Sequence, residues 1–352
     1  MVKVYDKKRT LNEIITAVGQ YSINLNHYKN ENWENGVLID GLLFNARPEY
    51  QDTVLSIVNH AVATQDSDGQ LAFSLIIPGD PGDAVGRWSG RSTITGTVHS
   101  TPLGRGVLWA YKHTGDKRYL EAAQRQWEYY KKVERTSNGA FVHREEAPEL
   151  WLDTVWFICP FFAEYGKITG DTSATQEAVR QIVTHAECLQ ENNGLFRHVW
   201  CERPNYFPQS KYWARGMGWV TAAIVDVWEQ LSPEDASREQ IGKILLDCLE
   251  ALLKYQDTSG FWRNILDDRH ESLEASGTAM FAYSIKKGLD LGIFQGMRFE
   301  EAAKRAMNAI SAVVQPNGAV GMVALPPGGP NARIGTTTYG QGWFLQAASR
   351  FN

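Results

Sequence analysis

The sequence predicts an all-α fold, an (α/α)6 barrel of about twelve helices alternating between an inner and an outer ring. Two observations predict it. First, five segments resemble one another: "TQDSDGQLAF" (64–73), "RTSNGAFVHR" (135–144), "LQENNGLFRHVW" (189–200), "YQDTSGFWRN" (255–264) and "VQPNGAVGMV" (314–323). Each is a polar turn, a glycine, then apolar or aromatic residues. The glycines, Gly69, Gly139, Gly194, Gly260 and Gly318, stand 55 to 70 residues apart, the length of two helices with their loops. Second, the stretches flanking a turn differ in kind. Those before a turn are amphipathic and those after it are apolar nearly all round, as a buried helix must be. An irregular helical protein or an α-solenoid would also be helix-rich. The turns, however, recur at one phase of the helix pairs, which favours a closed double ring.

The elements follow in order. The N-terminal "MVKVYDKKRTLNEIITAV" is charged and has no apolar core of signal-peptide length. "WENGVLIDGLL" (33–43) carries an inner helix. After the first Gly turn, "PGDPGDAVGRWSGRSTITG" (78–96) reads as a long loop over one mouth. In "DKRYLEAAQRQWEYYKKVE" (116–134), Leu120, Ala123, Trp127 and Tyr130 share one face, with charges elsewhere. "WLDTVWFICPFFAEYGKITG" (151–170) is apolar until its C-terminal end, and Pro160 removes one backbone donor and should kink it. Further inner helices start near "WARGMGW" (213–219), "LEASG" (273–277) and "GQGW" (340–343). The last follows a second Gly/Pro-rich loop, "ALPPGGPNARIGTTT" (324–338), also expected at the mouth. No Pro/Ser/Gly linker divides the chain, so residues 1–352 read as a single barrel domain.

Composition narrows the function. The 352 residues are 43% hydrophobic and 21% charged, an ordinary globular balance. The formal charge of −5, without a Lys/Arg run, argues against nucleic acid and anionic membranes as partners. No stretch is long and apolar enough to span a bilayer. Cys159, Cys188, Cys201 and Cys248 show no CxxC spacing and read as reduced thiols of a cytoplasmic protein. No HExxH, no His/Asp set at ligand spacing and no GxGxxG or P-loop after a strand is present, so neither a metal nor a cofactor is expected. Oligomeric state is not legible.

The starts of the inner helices carry unusual residues: Trp33 and Asp40; His99, Thr101 and Arg105; Trp151 and Asp153; Trp213, Arg215 and Trp219; Glu274 and Ser276; Gln341 and Trp343. His143 and His198 follow Gly turns. Singly, each has an ordinary explanation. A Trp near a helix start is commonly core, a loop histidine commonly satisfied. Arg215 could cap a neighbouring helix, and Asp153 could favour the positive N-terminal end of its own. Together, at one phase of the repeat, aromatic planes and a few charges describe a sugar site. Asp153 stands among Leu150, Trp151, Leu152, Val155, Trp156 and Phe157. Apolar burial there is expected to raise its pKa toward neutrality.

These residues bring a family with them. The chain resembles the unsaturated uronyl hydrolases of glycoside hydrolase families 88 and 105, more closely the unsaturated rhamnogalacturonyl hydrolases of the latter. The matching pieces are "WLDTVWFICPFFAEYGKITGD" (151–171), "GLFRHVW" (194–200), "YWARGMGWV" (212–220) and "LEASGTAMFAYSIKKG" (273–288). "GRGVLWAYKHTGDKRYLEAA" (104–123) and "WENGVLIDGLL" (33–43) agree less specifically. The resemblance implies an (α/α)6 barrel and a reaction in which water adds across the C4=C5 double bond of a terminal unsaturated uronic acid, releasing the attached sugar. Asp153 matches the general acid/base. His198, Trp213, Arg215 and Trp219 match substrate-site positions, as does His143 less securely, and Trp151 is placed with them. Arg215 suits a uronate because its planar fork can meet a carboxylate bidentately. The substrate implied is a small anionic oligosaccharide.

One departure stands out. Where the family has an Asp in a "DxxNxGR" pattern, this chain reads "HSTPLGR" with His99 at the Asp position. His99 either takes a compatible role beside the uronate or marks a different substrate or lost activity. It is expected in the pocket, titrating near pH 6.5. Two rival readings remain: an inverting glycosidase with Asp40 or Glu274 as the second carboxylate, and a non-catalytic sugar-binding protein.

Overall fold

The computed structural model describes residues 9–27, 30–71, 97–144, 147–326 and 328–352. The first Gly/Pro-rich loop of the sequence reading, 78–96, lies outside them. Twelve α-helices are present among the described residues: α1 (Leu11–Ile23), α2 (Asn32–Phe44), α3 (Pro48–Ala63), α4 (Leu103–Thr114), α5 (Lys117–Tyr129), α6 (Leu152–Thr169), α7 (Thr172–Leu189), α8 (Ala214–Gln230), α9 (Ser237–Leu253), α10 (Ala275–Asp290), α11 (Met297–Ala312) and α12 (Thr338–Ala348). The even-numbered helices are the apolar ones. In α6, α8, α10 and α12 nearly every residue is buried. They contact one another in the order α2, α4, α6, α8, α10, α12, and α12 returns to α2, so the inner ring closes. The odd-numbered helices bury one stripe each and form the outer ring. This is the (α/α)6 barrel that the repeat predicts. Helix α6 runs on through Pro160.

The Gly turns are built alike. All five glycines have left-handed φ, between 89° and 106°, a region that an L side chain rarely enters. Four of them, Gly69, Gly194, Gly260 and Gly318, also lie where the backbone of the next outer helix comes close. At Gly318 a Cβ would stand 2.0 Å from the Ala17 carbonyl oxygen of α1, so the last turn locks onto the first helix and closes the outer ring. Gln65, Gln190 and Gln256, each four residues before a turn glycine, donate from Nε2 to that glycine's carbonyl and to a carbonyl of the next outer helix. The polar turn residues therefore staple neighbouring helix pairs, which is why they recur.

The barrel axis is filled by aromatics. Trp156, Trp219 and Trp343 pack with ring centroids 5.2 to 5.6 Å apart, each large ring stabilising the core by roughly 1.5–3 kcal/mol. Farther along the inner helices lies a buried ion network. Arg105 Nη1 is 2.6 Å from Asp40 and 3.0 Å from Asp226, and Lys287 Nζ is 2.7 Å from Asp226. Three short sheets lie between helices: β1 (Glu149–Trp151), β2 (Val199–Cys201) and β3 (Tyr206–Gln209) in one antiparallel sheet, β4 (Trp262–Arg263) with β5 (Leu273–Glu274), and β6 (Val323–Ala324) with β7 (Ile334–Gly335). Among the described residues no helix is long and apolar enough to cross a membrane, and the four cysteines are free thiols.

Candidate functional site

The site forms where inner helices begin. Trp151 and Trp213 are the extended N-cap residues of α6 and α8, and Glu31 that of α2. Each helix starts directly after a short extended segment, so its first side chains turn toward the same mouth, and the positive ends of the helix dipoles converge there. One pocket at this mouth is lined by Asp153, His99, His143, Trp151, Trp213, Arg215 and Trp219. His198 stands behind Asp153 and contacts it. The structure thus brings together the residues that the sequence singled out, although they span more than 100 positions. Trp33 lines the same pocket.

Several residues stand elsewhere. Asp40 was expected at the mouth and does not line the pocket. It sits eight residues into α2 from Asn32, about 12 Å down the helix at 1.5 Å per residue, paired with Arg105. Arg105 is likewise in the ion network, not the pocket. Glu274 caps α10: its oxygens accept from the backbone N–H groups of Ser276 (2.7 Å), Gly277 (2.6 Å) and Ala324 (3.0 Å) and from the Ser276 hydroxyl. Gln341 holds the fifth Gly turn, accepting from Val320 N–H and donating to the Gly318 carbonyl. Trp343 belongs to the core. Neither Asp40 nor Glu274 is placed to be the second carboxylate of an inverting pair.

The pocket's polar groups form two chains. In one, His198 Nε2 lies 3.1 Å from Asp153 Oδ2, and His198 Nδ1 lies 2.9 Å from Gln209 Oε1. Gln209 reaches the site because β3 pairs with β2, setting Val199 opposite Gln209. In the other, His99 Nε2 is 3.1 Å from His143 Nε2, and His143 Nδ1 is 2.8 Å from Thr154 Oγ1. Two facing Nε2 atoms at that distance share one proton, one ring donating and the other accepting. His143 also stacks on Trp151, centroids 4.7 Å apart at 11°.

Electrostatics depart from the sequence expectation at Asp153 and His99. Burial pushes the Asp153 carboxyl upward. The His198 hydrogen bond, the charges of His198 and Arg215 and its own backbone N–H together outweigh burial, so its pKa lies below the ordinary carboxylate value rather than near neutrality. Burial takes His99 down to about 4, opposed by the Asp153 charge and helped by Arg144. His143 lies well below its ordinary value, by burial first and then by the charges of His99 and Arg144. Both rings are neutral at pH 7, and His99 does not titrate near 6.5.

The indoles divide into two kinds. Trp33 and Trp151 are half-buried and keep surface open to the pocket, whereas Trp213 and Trp219 are 2% and 1% exposed. Trp219 is therefore a wall packed against Trp33 and Phe157 more than a stacking platform. Arg215 is buried, its Nη1 donating to the Ala324 carbonyl at 2.9 Å and its guanidinium 4.5 Å from the Trp213 ring centre. The loop of 324–338 reaches the mouth: Pro326 lines the pocket, and Gly328 (φ 82°) lies so close that a Cβ would come within 2.5 Å of Arg215 Nη2.

Sequence reasoning missed Glu31, Arg144, Phe157 and Pro326 in the lining. All four carried a signal, Pro326 as part of the Gly/Pro-rich loop expected at the mouth. Arg144 follows His143, Phe157 stands one helical turn beyond Asp153, and Glu31 precedes the Trp33 segment. Gln209 carried none. Among the described residues no group of three or more His, Cys, Asp or Glu side chains is arranged to hold a metal ion.

Comparison with known proteins gives this pocket its family. The model of Glycosyl Hydrolase Family 88 matches residues 8–351. The chain is 27% identical over 236 residues to the unsaturated rhamnogalacturonyl hydrolase YesR of Bacillus subtilis, covering 65% of this chain and 67% of that protein. A crystal structure from Klebsiella pneumoniae described as a possible member of GH105 superposes with a TM-score of 0.80 at 22% identity, covering 99% of this chain and 94% of that one. A structure from C. acetobutylicum, described as a glycoside hydrolase from family 105, gives a TM-score of 0.79 at 22% identity over 96% of this chain and 98% of that one. With a matched model running nearly end to end, the chain belongs to Glycosyl Hydrolase Family 88 and is a glycoside hydrolase.

Proposed function

We propose that the protein releases a terminal 4,5-unsaturated uronic acid from small anionic oligosaccharides of the kind that polysaccharide lyases produce, with Asp153 as general acid/base. The single observation that carries this reading is the Asp153–His198 contact facing a buried guanidinium, Arg215. His198 Nδ1 points at the Gln209 carbonyl oxygen and so holds a proton. With the ring neutral, Nε2 is then an acceptor, and its bond to Asp153 requires the carboxyl to carry the other proton. With the ring charged, that proton sits on Nε2. One proton thus belongs to the pair and is available to Asp153.

In the reaction, Asp153 gives this proton to C4, and positive charge develops at C5 beside the ring oxygen. Water bonds to C5 and returns a proton to the Asp153 carboxylate. The resulting hemiketal opens to a C5 ketone and a C1 hemiacetal, which expels the attached sugar as an alcohol. Arg215 meets the uronate carboxylate. The low Asp153 pKa of the free site then rises on binding, because the substrate brings a negative charge and takes up that of Arg215. Protonation is therefore coupled to the arrival of substrate. His99 and His143 act as neutral hydrogen-bonding groups, and Trp33 and Trp151 offer faces to the sugar. Trp213 and Trp219, nearly fully buried, close the inner wall of the pocket. The four free thiols support a cytoplasmic setting.

A panel of lyase-generated and saturated oligosaccharides tests this. Ultraviolet absorbance of the double bond should disappear as sugar is released, and the saturated counterparts should stay intact. Cleavage of saturated substrates at a similar rate would replace this reading with direct attack at the glycosidic carbon. Binding without loss of absorbance would leave a sugar-binding protein.

A further inference from the structure

Two of the groups around the Arg215 guanidinium come from the β6–β7 hairpin. Its Nη1 donates to the Ala324 carbonyl, and Nη2 lies under Gly328. The hairpin is short: Val323 pairs with Gly335 and Ala324 with Ile334, and Leu325 N–H adds one bond to the Arg333 carbonyl at 2.7 Å. Beyond that, residues 328–331 are fastened to a second hairpin, β4–β5. Asn264 Nδ2 donates to the Gly329 carbonyl at 2.6 Å and to Glu271 Oε2 at 3.2 Å, and Asn331 N–H donates to Glu271 Oε1 at 2.5 Å. The same hairpin also holds the helix start that carries Arg215, because the Asn264 carbonyl accepts from Ala214 N–H at 3.0 Å. Asn264 and Glu271 are buried, and neither lines the pocket. A carboxylate and an amide are costly to bury, and the reaction uses neither. What they hold is the stretch of chain that covers Arg215.

We propose that Glu271, together with Asn264, is a positioning residue for Arg215: it clamps residues 328–331 over the guanidinium and so sets where the substrate carboxylate is received. An arginine is long and flexible, and its planar fork meets a carboxylate with two parallel bonds only in one orientation. Groups that hold the fork ready before substrate arrives remove that ordering cost from binding. The clamp has a definite geometry. Both neighbours of the Asn264 amide there, a carbonyl and a carboxylate, are acceptors, so its nitrogen must face them. The Glu271 carboxylate in turn takes one donor on each oxygen, which ties the loop to the β4–β5 hairpin. The proposal rests on the role argued above for Arg215 toward a uronate, but the clamp is also readable without any sugar.

Asp153 reports on Arg215 in the free protein, because the Arg215 charge helps to keep its carboxyl low. In Glu271→Ala the Asp153 titration, followed by carboxyl NMR, should therefore move up. Loss of the Glu271 charge would by itself move it down, so an upward shift isolates a displaced Arg215. Glu271→Gln, which keeps one acceptor oxygen, should shift it less, and beside Arg215→Gln the Glu271→Ala change should no longer raise it. With an unsaturated disaccharide, Glu271→Ala should raise KM about tenfold, the worth of one charge-assisted contact, while kcat changes far less. The same loss should appear in calorimetric affinity for Asp153→Asn and vanish when Arg215→Gln is added. If the wild type neither binds nor consumes unsaturated sugars, the uronate reading fails and the Asp153 titration alone decides the clamp. Should Glu271→Ala fold poorly, Glu271→Gln carries both measurements. An Asp153 titration that does not rise overturns the proposal, as does an affinity loss that is absent or persists in full beside Arg215→Gln. Tighter binding in Glu271→Ala overturns it too, since residues 328–331 would then be an obstruction over Arg215.

Discussion

His198 Nε2 lies 3.1 Å from Asp153 Oδ2, while its other ring nitrogen faces Gln209 at 2.9 Å. The imidazole thus links a carboxylate on an inner helix to an amide on a surface hairpin, and it is a main reason that Asp153 stays below the ordinary carboxylate range despite burial. Removing the ring deletes both its hydrogen bond and its charge, leaving desolvation less opposed. His198→Ala should therefore raise the Asp153 pKa. Carboxyl NMR of Asp153 across pH reads this directly, and a titration unmoved or lowered would show that the contact does not set the proton's position.

Asp153→Asn keeps the size of the side chain and removes the transferable proton. Turnover of the best unsaturated disaccharide should fall on the order of 10²- to 10⁴-fold with the fold intact, as judged by circular dichroism and thermal unfolding. A near-native rate in the variant would remove Asp153 from the chemistry.

His99 makes a stability prediction with a definite sign. Its folded pKa is about 4 and the unfolded value about 6.5. Between these values the unfolded chain binds more protons, so this contribution is present above pH 6.5 and is lost as pH falls toward 4. The ring keeps an edge open to the pocket, so the loss is at most about 3 kcal/mol. His99→Gln should flatten the acid side of the unfolding-stability profile relative to wild type. The same titration window says that affinity of Asp153→Asn for an unsaturated disaccharide is flat from about pH 5.5 to 8. A fall in affinity through pH 6.5, absent from the double variant with His99→Gln, would contradict the burial-driven shift.

The buried ion network makes a contrasting prediction far from the pocket. Arg105 stands between Asp40 and Asp226. Burial raises the Asp40 pKa to about 7, with the Arg105 charge opposing. Arg105→Leu strands two buried acids without their shared partner and should destabilise the fold by about 3–5 kcal/mol. Urea denaturation measures it. A loss under 1 kcal/mol would mean that water or Lys287 compensates the acids fully.

Much of the architecture was readable in the chain itself. Five Gly turns spaced by a helix pair, with amphipathic stretches before them and apolar ones after, specify a double ring because each helix must bury what it carries. Which helix the last turn meets was not legible there; the structure alone sets Gly318 against the Ala17 carbonyl. "WLDTVWF" and "WARGMGW" carried the family, and their side chains meet in one pocket because both segments start inner helices. Tertiary structure alone decided the rest. Asp40, Arg105 and Glu274 looked like mouth residues by their order in the chain. Depth along a helix and the direction of a side chain instead sent two of them into the ion network and one into a cap. The Asp153 pKa could not be judged from its apolar neighbours, because the groups that lower it, His198 and Arg215, are 45 and 62 residues away in sequence. Local sequence records what surrounds a residue along the chain. A proton responds to whatever lies within a few ångströms in space, and only the closed barrel determines which charges those are.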